Sequence, residues 1–217
     1  MNRQLATMMV ILVVVLGGAA LLASLEPSPV SSPGIPIDTS KLLIGSSYIR
    51  GAYNAPITVY QFGEFQCSEC SAAEAVIQDV MSVGSSTIRI VFKHFPLAGH
   101  AHAELAALAA ESAGVQGKFW QMCEMLYERS IEWQEARDVK AVFTSYAKNL
   151  GLNVEQFKRS LDDATLKEKI IADAQLGQTI GVRGTPSFII EQKLFRGMSP
   201  ELIKEINRAV SAQIASR

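Results

Sequence analysis

Two cysteines separated by two residues, Cys67-Ser68-Glu69-Cys70, have the types and spacing that most directly imply chemistry in this chain. Thiols so placed can close a small disulfide, because one helical turn brings the second sulfur back beside the first. The motif stands between a strand-like run and a helical one. A cysteine at a helix start faces unpaired backbone N–H groups and the positive end of the macrodipole, and both favour a thiolate. On this reading Cys67 is the exposed attacking thiol and Cys70, one turn in, the buried resolving thiol. The competing reading is half of a zinc site, which needs two further ligands. No second such pair exists, and the remaining cysteine, Cys123, is distant in sequence. A second element is Gly184-Thr185-Pro186, just before the run SFII. Proline is tolerated at the first position of a strand, and X–Pro is the one common place for a cis peptide.

The elements that must position these residues are legible from periodicity. Residues 57–62 (ITVYQF) and 87–92 (TIRIVF) are β-branched, aromatic runs that read as strands, and residues 67–83 between them carry a helical pattern ending near Gly84. Strand, helix, strand predicts a right-handed parallel pair. From about residue 99 to 164 the pattern is helical only, with stretches at 103–113, 118–127, 139–150 and 154–161. A helix over 165–180, a hairpin of residues 187–190 and 193–195 around Glu191-Gln192, and a closing helix over 200–214 complete the order. Strands split by a helical block imply an α/β core with an inserted helical subdomain.

The first 46 residues set the compartment. Residues 5–25 contain no charge, and as a helix they would extend roughly 30 Å, the thickness of a bilayer core. Arg3 before this run and Glu26 after it orient a single-pass anchor with residues 1–4 in the cytoplasm and the rest outside. A cleaved signal peptide is the alternative, with Gly18 and Ala20 as small residues near a cleavage site. In both cases the domain is exported. Residues 26–46 include Pro27, Pro29, Pro33 and Pro36 and read as a semi-rigid tether, leaving 47–217 as the folded domain. With 48% hydrophobic and 19% charged residues the chain is no disordered polymer, and a net charge of -1 without a basic block offers nucleic acid no footprint.

From Ile57 to Ile214 the sequence resembles the DsbA-like branch of the thioredoxin superfamily. The resemblance is carried by NAPITVYQFGEFQCSEC, VFKHFPL, HAELAALAAESAGVQGKFWQM and GVRGTPSFII, in that order. It implies a thioredoxin-like α/β fold interrupted by a helical insertion, with Cys67 and Cys70 exchanging disulfides with unfolded or reduced exported polypeptides. It further implies a cis-proline, Pro186 preceded by Thr185, that holds the substrate chain as an added strand. No cofactor or metal is implied. A disulfide donor of this kind is recycled by a membrane electron-transfer partner, and the setting is a bacterial cell membrane with the catalytic domain in the periplasm. The exported location favours oxidation over reduction or isomerisation. The alternative is an extracytoplasmic binding module, for metal delivery or chaperoning, without redox turnover.

Two departures from the family pattern bear on tuning. Ser68-Glu69 stands where relatives often carry Pro-His or Pro-Tyr, and a carboxylate at Glu69 should oppose the Cys67 anion and make a milder oxidant. Gln61 stands where relatives carry a buried acid that takes the resolving thiol's proton. Glu64 is the candidate substitute for that proton transfer. Lys93 reads as a strand-end lysine reaching for solvent, Cys123 as a buried structural thiol, and His100 and His102 as surface or capping residues.

Overall fold

A computed structural model describes Leu42, residues 48–84 and residues 86–215. The anchor expected at residues 5–25 and all of the expected tether except Leu42 lie outside the described residues. Among the described residues no helix is long and apolar enough to cross a membrane.

The elements run β1 (Tyr48–Arg50), β2 (Ile57–Gly63), α1 (Ser68–Gly84), β3 (Ile88–His94), α2 (Ala103–Gly114), α3 (Phe119–Glu128), α4 (Ser130–Gln134), α5 (Val139–Asn149), α6 (Val154–Ser160), α7 (Ala164–Thr179), β4 (Ser187–Ile190), β5 (Lys193–Arg196) and α8 (Pro200–Ala215). The strands form one mixed sheet in the order β1-β3-β2-β4-β5. β2 and β3 are parallel, with Ile57 opposite Ile88 and Gly63 opposite His94, and the other pairings are antiparallel. The β4–β5 turn places Glu191 and Gln192 at positive φ, 46° and 65°, as a two-residue hairpin turn requires.

Alternation along the strands divides the core into two faces. Ile57, Val59, Ile88, Ile90, Phe188 and Ile190 pack against Ala73, Ile77 and Met81 of α1 and Leu202, Ile206 and Ala209 of α8. Tyr60, Phe62, Val91 and Ile189 face the other way, onto Phe95, Val182, Leu42 and the α7 residues Ala174 and Leu176. Burial on both faces explains why β2 and β3 read as nearly continuous apolar runs. Leu42, inside the segment read as tether, is fully buried on the α7 face. Gly177 lets α7 approach closely, since a Cβ there would lie 2.8 Å from Phe95 and 2.9 Å from Phe62.

Helices α2 to α6 form the inserted block. Phe119, Met122, Leu126, Trp133, Phe143, Tyr146 and Phe157 make its core, which is continuous with Phe65, Phe92, Cys67 and Cys70. The side chains of Asp138, Asn153 and Asp163 accept from Ala141, Gln156 and Thr165 backbone amides and start α5, α6 and α7. Buried ion pairs tie α2 and α7 to the sheet. Glu111 accepts from His94 Nε2 at 2.9 Å, Lys169 Nζ at 2.7 Å and the Tyr48 hydroxyl at 3.1 Å. Asp173 accepts from Lys93 Nζ at 2.8 Å and from the His94 amide at 3.2 Å.

Lys93 therefore corrects one expectation. It is 1% exposed and does not reach for solvent. Its alternation with Val91 turns it to the α7 face of the sheet, where Asp173 neutralises it.

Candidate functional site

The site forms where β2 ends, α1 begins and the loop before β4 crosses in front of them. Cys67 is the residue that caps α1: its carbonyl accepts the first helical bond, from Ser71 N at 3.1 Å. Its sulfur accepts from Cys70 N at 3.2 Å, the place that a serine or aspartate oxygen takes in an ordinary N-cap. The Cys67 thiol also donates to the Thr185 carbonyl oxygen at 3.4 Å. Both cysteines are free thiols. Cys67 is 7% exposed and Cys70 is fully buried.

The two thiols are driven apart in acidity. Cys67 is lowered from 9.0 to about 6, chiefly by the hydrogen bond from the Cys70 thiol. The Thr185 hydroxyl and the Cys70 backbone amide add to this, while burial and the charge of Glu64 oppose it. Cys70 is pushed far above the ordinary thiol range, because its proton is shared with the Cys67 sulfur and its surroundings are apolar. An anion poised beside a neutral thiol at bonding proximity is the arrangement that thiol–disulfide exchange needs.

Thr185 and Pro186, expected from sequence to sit opposite the motif, do so, and the bond between them is cis. The Thr185 hydroxyl is buried and makes no hydrogen bond among the described residues while the thiols are protonated. Ser68 and Glu69 are exposed. The carboxylate whose charge is seen to oppose the Cys67 anion is Glu64. Glu69, expected to tune Cys67, is exposed in the first turn of α1, whereas Glu64 is fully buried.

Glu64 is 0% exposed. One carboxyl oxygen accepts from Gln66 N at 2.7 Å, and the other meets His100 Nδ1. Burial raises this carboxyl, and the Gln66 amide and His100 only partly offset it. Sequence reasoning left His100 as a surface or capping residue. The structure puts it in the loop before α2, against the carboxyl of a residue 36 positions earlier. The signal available in sequence was the buried-acid deficit at Gln61, which points to Glu64 but says nothing of its partner. Gln61 itself is 0% exposed with neither amide atom hydrogen-bonded among the described residues.

Cys123 lies buried in α3, with burial holding its thiol well above the ordinary value. Trp133 is wholly buried and donates to the Leu126 carbonyl at 2.8 Å, while half-buried Trp120 carries the Arg50 guanidinium 4.3 Å from its ring centre. Among the described residues no group of three or more His, Cys, Asp or Glu side chains is arranged to hold a metal.

A family model described as Thioredoxin matches residues 44–210. Among solved structures, a thioredoxin-like oxidoreductase from Silicibacter pomeroyi is 25% identical, covers 80% of this chain and 97% of its own, and superposes with a TM-score of 0.68. Wolbachia pipientis α-DsbA1 is 18% identical with a TM-score of 0.71, covering 82% of this chain and 98% of its own. Oxidised BdbD from Bacillus subtilis is 21% identical with a TM-score of 0.65, covering 76% and 93%. The last two likenesses speak to fold alone. A curated relative, Na(+)/H(+) antiporter NhaA 3 of Salinispora tropica, is 31% identical over 183 residues, which are 84% of this chain and 26% of that protein. The chain thus spans about a quarter of the length of the curated relatives it matches.

Proposed function

The chain belongs to the thioredoxin family, and from that premise we propose that it is a thiol–disulfide oxidoreductase that donates the Cys67–Cys70 disulfide to reduced, exported polypeptides. The observation that carries this reading is the Cys67 sulfur itself, capping α1 with the Cys70 amide at 3.2 Å and lowered to about 6. A substrate thiolate attacks the Cys67 sulfur of the oxidised pair, Cys70 leaves, and a mixed disulfide forms. A second substrate thiol then displaces Cys67, whose stabilised thiolate makes it a good leaving group. The substrate departs with a disulfide and the pair remains as two thiols. Thr185 and Pro186 bind the substrate backbone beside the sulfurs, and the buried, unpartnered Thr185 hydroxyl supports that role.

Export and a membrane anchor at residues 5–25, with the domain on the periplasmic side of a bacterial cell membrane, complete the proposal. A membrane electron-transfer partner then reoxidises the pair. The antiporter-named relatives support a membrane setting, since ion exchange takes place across a bilayer.

The test is refolding of reduced ribonuclease with the oxidised protein, alongside insulin reduction and the equilibrium potential against glutathione. Oxidative refolding that disappears in Cys67→Ser is the expected result. Turnover of insulin without ribonuclease oxidation would replace the donor reading by a reductase. No thiol exchange with either substrate would remove the enzyme reading altogether.

A further inference from the structure

Glu69 and Arg196 are exposed charges that the exchange steps above leave without a task, and among the described residues neither side chain has an ion-pair or hydrogen-bond partner. They line opposite walls of an open groove of about 460 Å³ beside the redox pair. One wall is α1. Glu69, Ala72, Ala73 and Val76 recur at the i, i+3, i+4, i+7 spacing that puts residues on one helix face, and the two alanines let a chain lie close against it. The other wall is the end of β5 and the turn into α8, residues 196–199.

This second wall is continuous with the loop assigned to substrate backbone. Arg196 pairs with Ser187, the residue after Pro186, and the Gly197 amide donates to the Pro186 carbonyl at 2.8 Å. Glu69 follows Cys67 within the first turn of α1. Both charges therefore lie at the end of the groove nearest the sulfurs, and exposed Val76 lies at the far end. From Glu69 to Val76 the helix rises roughly 10 Å at ~1.5 Å per residue, room for about three residues of extended chain. Successive side chains of an extended chain point to opposite sides, so adjacent residues in the groove meet opposite walls.

We propose that Glu69 and Arg196 select the polypeptides that Cys67 oxidises, favouring a cysteine flanked by adjacent acidic and basic residues, the acid facing Arg196 and the base facing Glu69. The proposal rests on the reading of Cys67 and Cys70 as an exchanging pair. A flank of one sign is disfavoured, because whichever sign it carries meets one like charge. A wholly apolar flank covers both charges and strips their water without replacing it. Selection acts before the chemistry: it raises the share of encounters that bring the substrate thiol to Cys67 in register, and leaves the Cys67 anion as it is.

The experiment is reduction of the oxidised full chain by excess single-cysteine peptides, with rates corrected for peptide thiolate. Two peptide thiols yield one peptide disulfide, and the Cys67–Cys70 disulfide becomes two thiols. Four peptides of the same composition carry Asp-Lys or Lys-Asp directly before or directly after the cysteine. The cysteine fixes the register, so on the side that enters the groove one order matches both charges and the other opposes both. The matched order should react about 10-fold faster than its reverse at low salt, as two exposed pairs allow, and the ratio should shrink at high salt. Glu69→Lys combined with Arg196→Glu should invert the preference. Glu69→Gln or Arg196→Gln alone should each reduce it to about threefold. The pH midpoint of Cys67 alkylation should move little in all three variants. Rates within twofold across the four peptides overturn the proposal. So does a preference that double reversal leaves unchanged, or one whose loss follows a moved alkylation midpoint. Wild-type chain that oxidises neither these peptides nor reduced glutathione sinks the redox reading as well, which separates the two failures.

Discussion

Two clusters of buried ionisable groups, one around Glu111 and one around Cys67, differ in what they leave unsatisfied. Around Glu111, His94, Lys169 and Tyr48 fill the carboxylate with three donors. Burial alone would raise the Glu111 carboxyl, but its His94 and Lys169 partners outweigh that and hold it below the usual range. Around Cys67, by contrast, Glu64 is raised by burial, the Thr185 hydroxyl has no bond to make among the described residues, and two thiols share one proton. The first cluster is neutralised and fastens the helical block to the sheet. The second is kept short of partners, so that a sulfur anion or an incoming chain completes it. Since His94 Nδ1 in the first cluster also lacks a hydrogen bond among the described residues, what separates the two is the carboxyl, held low by charged partners at Glu111 and raised by burial at Glu64.

The comparison breaks most visibly if the clamp can be cut without cost. Glu111→Ala strands Lys169 and His94 without their shared carboxylate and should destabilise the fold by about 3–5 kcal/mol, as removal of one member of a buried pair does. Urea unfolding measures this, and an unchanged midpoint would mean that the clamp bears no weight. Gly177→Ala, which drives a methyl into Phe95 and Phe62, should cost about 1–3 kcal/mol by overpacking. Loss confined to this variant would place the weak point in α7 packing and not in the ion pairs.

The pH dependence sharpens the contrast because the two carboxyls act with opposite sign. The folded state holds a proton on Glu64 more tightly than the unfolded chain does. Its contribution to stability is therefore greatest below the ordinary carboxylate range and declines as pH rises through the raised folded value. Glu111 binds its proton less tightly when folded, so its contribution is present above the ordinary range and is lost as pH falls through the lowered folded value. Glu64→Gln should thus leave stability at pH 7 unchanged or raised, while Glu111→Gln lowers it. Chemical unfolding between pH 3 and 7 checks both, and the same sign for the two variants would refute the distinction.

The smallest effects concern the thiols. Alkylation of Cys67 should rise through about pH 6. Cys70→Ala removes the largest cause of that depression and should move the midpoint upward, leaving the Thr185 hydroxyl and backbone amide to retain part of it. Glu69→Gln should shift it little, because an exposed charge is screened. Should Glu69→Gln move the midpoint more than Cys70→Ala, the carboxylate that matters is the exposed one after all.

Much of the scaffold was legible beforehand, for definite reasons. Strand β2, helix α1 and the hairpin of β4 and β5 announce themselves by β-branched runs, by helical periodicity and by a polar two-residue turn. Two short elements were not. β1 is three residues long, and its ladder with β3, Tyr48 opposite Phe92, is what makes it a strand. α4 is five residues, too short for periodicity to register. Within the site, the redox pair was legible because its chemistry is local, three residues inside one helical turn.

By itself the sequence determined that a cysteine would stand at a strand–helix junction with a second thiol one turn in, since backbone geometry and nearest-neighbour hydrogen bonds settle that. Tertiary structure decided which groups tune them. Thr185 reaches the Cys67 sulfur across 118 positions and His100 reaches Glu64 across 36, while Lys93 turns to the far face of the sheet. Such contacts depend on how the loops close over the sheet, and no local propensity encodes where a loop's side chain will come to rest.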